Sequence, residues 1–219
     1  MVGFNLRWHR LVRQTRDILD RHELGAITLV RTVFTSGKPP GAPVSEWRTS
    51  PDTGGGVLFD LGVHHFDLVR FLLHSEVDEV HPSGTCSDKA ATVMLSMSNG
   101  ARVVCAFTEG AGQNQALEIY GERGWLRVCL YRADGLEYFR LSENPGAIGA
   151  RLRAAGNTLL KLPRALGRNL GGGEFAASYV EEWNHFAQAV RLDKATEASL
   201  VDGRRALEIA LAASRLRGK

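Results

Sequence analysis

The residues best suited to chemistry lie between Gly54 and Asp67, where a glycine triplet precedes three ionisable side chains. Asp60, His64 and Asp67 stand four and then three residues apart, so a helix that begins near Phe59 would place all three on one face. A carboxylate beside a histidine can fix the tautomer of the ring and raise its pKa. The Asp60–His64 pair is therefore a candidate general base that takes a proton from a hydroxyl group.

Other interpretations of the same residues remain open. Asp60 can simply cap a helix, and His64 can be a core histidine whose nitrogens are satisfied by neighbours. A metal site would draw on His64, His65 and Asp67, but adjacent histidines point to different faces of a helix and do not readily share one ion. We therefore predict no metal at this position. The glycines before it would let the backbone turn sharply and approach a ligand closely.

The neighbouring segments predict the elements that position this pair. Residues 26–34 are rich in β-branched side chains, as in a strand, and residues 35–56 form a long Gly/Pro/Ser-rich loop of the kind that often carries function. Residues 57–74 have the apolar spacing of a helix. Further strands are predicted at 77–85, 90–97, 101–109, 115–120, 125–131 and 136–141, and further helices at 9–23, 177–192 and 203–217.

The order of these elements predicts the fold class. Turn signals such as Asn99-Gly100 and Asp134-Gly135 separate consecutive strands, which favours antiparallel neighbours. Strands that follow one another, with segregated helices, predict an α+β fold: a mostly antiparallel open sheet of about six strands covered by helices on one face. Asp202 is predicted to cap the last helix. The helix before it is predicted to bury Val180, Trp183, Phe186, Ala187 and Val190.

Composition excludes several classes of protein. The 219 residues carry a net charge of +3, which does not argue for nucleic acid or a membrane surface. No apolar run is long enough for a membrane span, and residues 1–16 lack the features of a signal peptide. Cys86, Cys105 and Cys129 show no pairing pattern, which predicts free thiols in a reducing compartment, the cytoplasm.

The sequence resembles the C-terminal domain of the glucose–fructose oxidoreductase, inositol dehydrogenase and rhizopine-catabolism (Gfo/Idh/MocA) family. The glycine triplet followed by D-x-G-x-H-x-x-D at residues 60–67 matches the motif of that family in this region. Residues 2–7 resemble the strand that ends the family's nucleotide domain, and residues 25–27 resemble the opening of its second domain. The resemblance extends over nearly the whole chain through Trp47-Arg48, residues 179–186, Ser199 and Asp202-Gly203.

The resemblance implies hydride transfer between NAD or NADP and a hydroxyl-bearing or keto carbon of a sugar, cyclitol or similar polyol. It implies that His64 accepts or donates the proton and that Asp60 orients His64 or contacts the substrate. Arg48, Gly55 and Gly56 join this pair as candidate substrate-binding residues. It also implies a homo-oligomer formed through the open face of the sheet.

The sequence departs from the family in the nucleotide-binding half, because it contains neither a G-x-G-x-x-G turn with dinucleotide spacing nor the family's Glu-Lys-Pro turn. We therefore expect residues 1–24 to be the remnant of the last nucleotide-domain strand with a linker helix, and residues 25–219 to be the substrate-binding and oligomerisation domain. We expect such a chain to be inactive alone and to need a separate Rossmann-domain chain or an upstream segment. The alternative is a non-catalytic remnant that binds a polyol or oligomerises. The basic stretch at 151–168 is typical of a surface helix or an oligomer arm.

Overall fold

A seven-stranded sheet is the scaffold of the protein. The computed structural model describes residues 1–37, 55–82, 89–142, 147–149, 152, 156 and 173–215. The strands, in chain order, are β1 (Ile27–Ser36), β2 (Val77–Pro82), β3 (Ala90–Met97), β4 (Arg102–Glu109), β5 (Asn114–Gly121), β6 (Gly124–Cys129) and β7 (Leu136–Arg140).

The strand order in the sheet is β2-β3-β4-β1-β5-β6-β7. Neighbouring strands are antiparallel except for β1 and β4, which run parallel. The predicted α+β class and the mostly antiparallel open sheet are confirmed, with seven strands where about six were expected. The hairpin predicted at Asn99-Gly100 is present between β3 and β4, and Gly100 adopts a φ of 87° that favours glycine.

Helices cover one face of the sheet. They are α1 (Arg10–Asp20), α2 (Val63–Leu73), α3 (Gly173–Arg191) and α4 (Leu200–Arg215), and a π-helical turn at Leu58–Gly62 leads into α2. Helix α2 is central: it contacts α1 and α4, and the π-helical turn packs on β4. The buried core joins the inward side chains of the strands to α2, through residues such as Phe66, Leu68, Val103, Phe107 and Leu117.

The first residues do not form the predicted strand. Instead, Asn5–Trp8 form a 3-10 helix, and the backbone N–H of Val2 donates to the carbonyl of Ala198 at 3.0 Å. Phe4 and Leu6 are 5% and 2% exposed, so this segment is packed between helices rather than left as an open sheet edge. The strand prediction is wrong because the segment finds hydrogen-bond partners in the helical layer. The helix predicted next is confirmed as α1.

Helix α3 buries the opposite face from the one predicted. Val180, Trp183 and Val190 are 58%, 65% and 65% exposed. The buried positions are mainly polar, because the N-terminal segment offers polar partners to that face: Ser178 accepts from the Asn5 side chain at 2.9 Å. The buried residues of the helix are Glu174, Ser178, Glu182 and Ala189.

Helix α4 begins at Leu200, earlier than predicted, and Asp202 is not its N-cap. The Ser199 hydroxyl accepts from the Asp202 backbone N–H at 3.2 Å, while the Asp202 carboxylate accepts from the Ser199 backbone N–H at 2.9 Å. This reciprocal pair is a capping box, with Ser199 as the N-cap. Asp202 thus lies in the first turn, where its charge favours the helix.

Two further expectations concern membranes and thiols. Within the described ranges, no helix is long and apolar enough to cross a membrane. Cys105 is buried and Cys129 half-buried, and both are free. Burial raises the pKa of the Cys105 thiol. Cys86 lies outside the described residues, and the cytoplasmic location stays a prediction.

Candidate functional site

The glycine turn opens the helix that carries the candidate site. Gly56 has a φ of 93°, a left-handed conformation that favours glycine, and its carbonyl accepts from the backbone N–H groups of Phe59 and Asp60 at 3.0 Å each. The predicted sharp turn is therefore present. Gly55 and Gly56 are both buried. Gly54 and the candidate Arg48 lie outside the described residues.

Asp60 lies in the π-helical turn and not in a regular α-helix. The backbone N–H of Val63 donates to the carbonyl of Leu58, five residues earlier, which closes the wider turn. Such turns are uncommon and occur often at functional sites. The extra residue also rotates the residues after the turn by roughly 100° relative to those before it. The one-face arrangement predicted for a regular helix therefore does not apply as stated.

His64 is held in a dry environment next to Asp60. Burial lowers the pKa of His64, and the negative charge of Asp60 raises it by less. The expected rise is thus outweighed by desolvation, and the ring is neutral at neutral pH. Its Nδ1 atom is buried without a hydrogen-bond partner among the described residues, and the Phe4 ring meets the imidazole edge-on at 6.0 Å. A neutral, incompletely bonded imidazole can accept a proton.

His65, next in the chain, is structural. Its Nδ1 contacts the Thr32 hydroxyl, and its Nε2 lies 3.1 Å from the Gln115 side-chain nitrogen. The ring also stacks on Phe34, with centroids 5.2 Å apart. Complete burial lowers the pKa of His65 to about 3. His65 therefore anchors α2 to the sheet as a neutral ring. It is a core histidine with both nitrogens in contact with neighbours, the interpretation that the sequence had left open for His64.

The free energy of unfolding is expected to fall as the pH drops below 6.5, because the unfolded chain protonates His65 and the folded chain resists until about pH 3. The contribution of His65 is complete above 6.5 and is lost on acidification, with a slope of up to about 1.4 kcal/mol per pH unit for one proton. Urea unfolding between neutral pH and about pH 5 measures the slope. His65→Leu should reduce the slope, whatever it does to absolute stability; an unchanged slope would contradict the assignment.

Asp67 does not join the Asp60–His64 pair. Its carboxylate accepts two hydrogen bonds from Arg7, one of them from Nε at 2.8 Å. The Asp67 side chain is 1% exposed and the Arg7 side chain is 5% exposed. Arg7 also lies 3.0 Å from Asp202, and Arg70 pairs with Glu76 at 2.7 Å. This buried ion-pair cluster ties the N-terminal segment to α2 and α4. Asp67 therefore has a structural role: it holds the N-terminal segment against the helix that carries His64.

A cavity of about 300 Å³ opens beside this cluster, toward the end of α2 at His74. Neither Asp60 nor His64 lines it. The three arginines that line it, Arg7, Arg16 and Arg70, each pair with a carboxylate. We therefore place the candidate site at the other end of α2. Across the described part of the chain, no group of three His, Cys, Asp or Glu residues could hold a metal ion.

Glu182 is a buried acid near the site that sequence reasoning missed. Its side chain receives a hydrogen bond from the Phe4 backbone N–H, burial raises its pKa, and Phe4 is the residue whose ring meets His64. Its Oε1 has no partner among the described residues. The signal for it was the spacing of Glu174, Ser178 and Glu182, four residues apart on one helix face.

The sequence matches a known protein family over the part of the chain that contains the candidate site. Residues 12–127, more than half of the chain, match the model of the GFO/IDH/MocA C-terminal domain. The chain belongs to the Gfo/Idh/MocA family. This match covers β1 to β5 and the first part of β6, as well as the glycine turn and α2.

Relatives in this family match nearly the whole chain. The myo-inositol 2-dehydrogenase of Thermotoga maritima is 26% identical over 226 residues, which cover 98% of this chain and 60% of the relative. The crystal structure of an oxidoreductase domain protein from Kribbella flavida superposes with a TM-score of 0.75 at 20% identity, covering 99% of this chain and 63% of that one. The scyllo-inositol dehydrogenase of Lactobacillus casei, solved with NAD(H) and scyllo-inositol, gives 0.70 at 17% identity, covering 98% and 61%.

The Gfo/Idh/MocA domain described here spans about three fifths of the length of these relatives. Its described residues do not fit a dinucleotide. A pyrophosphate is held where a parallel strand runs through a glycine-rich turn into a helix. In the described ranges only β1 and β4 are parallel. β4 is followed by β5, and 18 residues (37–54) separate the end of β1 from the turn at Gly55-Gly56.

Proposed function

We propose that this domain binds a sugar, cyclitol or similar polyol and supplies the acid–base half of an NAD(P)-dependent oxidation at a hydroxyl-bearing carbon. The observation that carries the proposal is His64, a neutral and desolvated imidazole beside Asp60 whose Nδ1 has no hydrogen-bond partner among the described residues. Inositol dehydrogenases among its relatives support the choice of substrate class.

In this mechanism His64 accepts the proton of the substrate hydroxyl, and Asp60 stabilises the imidazolium that results. The dry surroundings of His64 keep the ring unprotonated until the substrate donates. The buried glycine turn lets the substrate approach the backbone at Gly55 and Gly56, and Arg48 is proposed to bind a substrate oxygen. A bound NAD or NADP would supply the hydride acceptor, and none of the described residues is proposed to hold it.

A nucleotide-binding domain in the same or another chain would complete the site. Helix α3 offers a surface for it: an apolar stripe of Val180, Trp183 and Val190 lies on its exposed face. Its opposite face packs on the segment that contains Phe4 and thereby reaches His64. Exposed tryptophan within an apolar stripe is a common centre of binding energy at interfaces.

The test recovers the protein in its native form. A C-terminal tag on the chromosomal gene purifies the chain with any domain or subunit that it carries. The expected result is reduction of NAD or NADP by a cyclitol or sugar from a panel. If the protein binds a polyol but does not reduce NAD or NADP, the second candidate is favoured, a non-catalytic polyol-binding or oligomerisation remnant. Absence of both activity and polyol binding would overturn the proposal.

We also propose that the open face of the sheet binds a second copy of the chain. One row across this face is small, half-buried and largely apolar, and is formed in register by Thr92, Ala106, Val33, Ala116 and Cys129. The next row on this face is charged, and Glu118 there pairs with Arg31 and Arg127. The row beyond it stacks aromatic rings, with Trp125 and Phe139 centroids 4.2 Å apart. Apolar side chains beside a row of ion pairs are typical of an interface between subunits.

A charge at Val33, in the centre of the row of small side chains, is expected to dissociate the oligomer. Val33→Arg would leave a guanidinium without a partner in the interface, so sedimentation velocity at micromolar concentration should show a shift from oligomer to monomer. Asp78→Arg, an exposed change on edge strand β2, is the control and should leave the oligomer intact. A wild-type protein that sediments as a monomer would refute the interface.

A further inference from the structure

Two buried hydrogen-bond acceptors at one end of the sheet have no donor among the described residues. They are Oε1 of Glu109, at the end of β4, and Oε1 of Gln115, near the start of β5. Gln115 has a fully buried side chain, and Glu109 is half-buried. A buried acceptor without a donor is unfavourable, and native proteins rarely leave one without a reason.

The topology brings these two residues to either side of the same strand end. Glu109 pairs in register with Ser36 of β1, and Gln115 pairs with Phe34 of β1. Because β1 lies between β4 and β5, the two residues flank its carboxyl end. Glu109 continues the inward alternation of Cys105 and Phe107.

The same sheet end lies under the candidate catalytic turn. Phe107 and Phe34 both contact the His65 ring, and the Gln115 amide lies 3.1 Å from His65 Nε2. The π-helical turn that holds Asp60 packs on β4. Gln115 therefore lies beside His65, the residue after His64 in the chain, and Glu109 lies two residues beyond Phe107, whose ring approaches Gly62 of the π-helical turn.

The chemistry of these atoms defines the ligand group that would satisfy them. Both are oxygen acceptors, and they belong to a carboxylate and an amide, so they call for hydroxyl donors instead of anions or apolar groups. A polyol carries several such donors around one ring or chain. The sugar-binding role of carboxylate and amide side chains rests on the same donor–acceptor match.

We infer that Glu109 and Gln115 bind hydroxyl groups of the polyol away from the carbon that is oxidised, and so determine which polyol the site accepts. The inference rests on the proposed function and adds specificity-determining residues to it. A site built to hydrogen-bond a hydroxyl rejects analogues that lack it more strongly than an apolar pocket rejects an extra group.

Isothermal titration of the natively purified protein with a panel of cyclitols and aldoses, beginning with myo-inositol, tests the inference. Glu109→Gln and Gln115→Leu should each raise the Kd of the best-bound polyol by roughly tenfold. Thr108→Val, a neighbour on the outer face of β4, is the matched control and should leave the Kd unchanged. Glutamine has the same shape as glutamate, and Oε1 of Glu109 has no hydrogen bond to lose among the described residues. Glu109→Gln should therefore fold, and it still tests the inference if Gln115→Leu misfolds.

Deoxy analogues of the best-bound polyol add a second measurement. Removing the hydroxyl that Glu109 binds should weaken binding to the wild type but cause little further loss in Glu109→Gln, because the two changes remove the same interaction. Equal Kd values for the wild type and both variants would overturn the inference alone, provided that the wild type binds and His64→Asn lowers turnover. If no polyol on the panel binds the wild type, the proposed function and the inference both fail.

Discussion

Replacing His64 with asparagine is expected to lower kcat for polyol oxidation by roughly 10²- to 10⁴-fold, the usual contribution of a general base. Asparagine keeps a polar side chain of similar reach but cannot accept a proton at neutral pH. The assay is the formation of reduced nicotinamide by the natively purified protein. His74→Asn, an exposed change at the far end of α2, is the matched control and should retain full activity. A His64→Asn enzyme with half of wild-type activity would contradict the assignment.

The pH profile of the wild type provides an independent measurement of the same pair. Because burial lowers the pKa of His64 below 6.5, the acidic limb of kcat/KM should lie below that value. Asp60→Asn removes the charge that raises this pKa, so the limb should move further toward acid pH. A limb that moves toward alkaline pH in this variant would contradict the coupling of Asp60 to His64.

Replacing Asp67 with alanine is expected to lower the free energy of unfolding by about 3–5 kcal/mol. The reason is that Arg7, only 5% exposed, would keep its charge in the interior without its main partner. Urea denaturation of the purified chain measures the loss. Glu23→Ala removes the partner of an exposed pair with Arg21 and, as the control, should cost less than about 1 kcal/mol.

The double variant Arg7→Met, Asp67→Leu separates the charge effect from the loss of packing. Arg7→Met also takes a partner from Asp202, but Asp202 keeps Arg70 at 3.7 Å and two hydrogen bonds from Ser199. The double variant leaves no buried charge as poorly paired as Arg7 in Asp67→Ala, so it should be the more stable of the two. A double variant that is less stable than Asp67→Ala would mean that the shape of the two side chains, and not the pairing of their charges, stabilises this region.

Local signals in the sequence predicted the parts of the fold that depend on neighbouring residues. Asn99-Gly100 predicted a hairpin because glycine accepts the backbone conformation of the turn. The β-branched run that became β1 and the apolar spacing of α2 were likewise local. The motif around Asp60 and His64 identified the site helix, although not the π-helical turn that carries Asp60.

What could not be predicted depends on contacts between residues far apart in the chain. Asp67 pairs with Arg7, sixty residues away, and nothing in the spacing around His64 indicates that partner. Trp183 was assigned to the core from apolar periodicity alone. The structure buries Ser178 instead, because Asn5 from the other end of the chain supplies its hydrogen bond.

The central place of β1 has a consequence for how the chain folds. Strands β2 to β4 and β5 to β7 each form a meander of consecutive neighbours, yet β4 and β5 are separated in the sheet by the strand made first. On the ribosome, β1 must wait with both edges unpaired until β4 and then β5 have been synthesised. The two meanders can form early, but joining them requires closure of long loops, which is slow. Premature pairing of β4 with β5 would be the natural misfolded state, and it would shut the first strand out of the sheet.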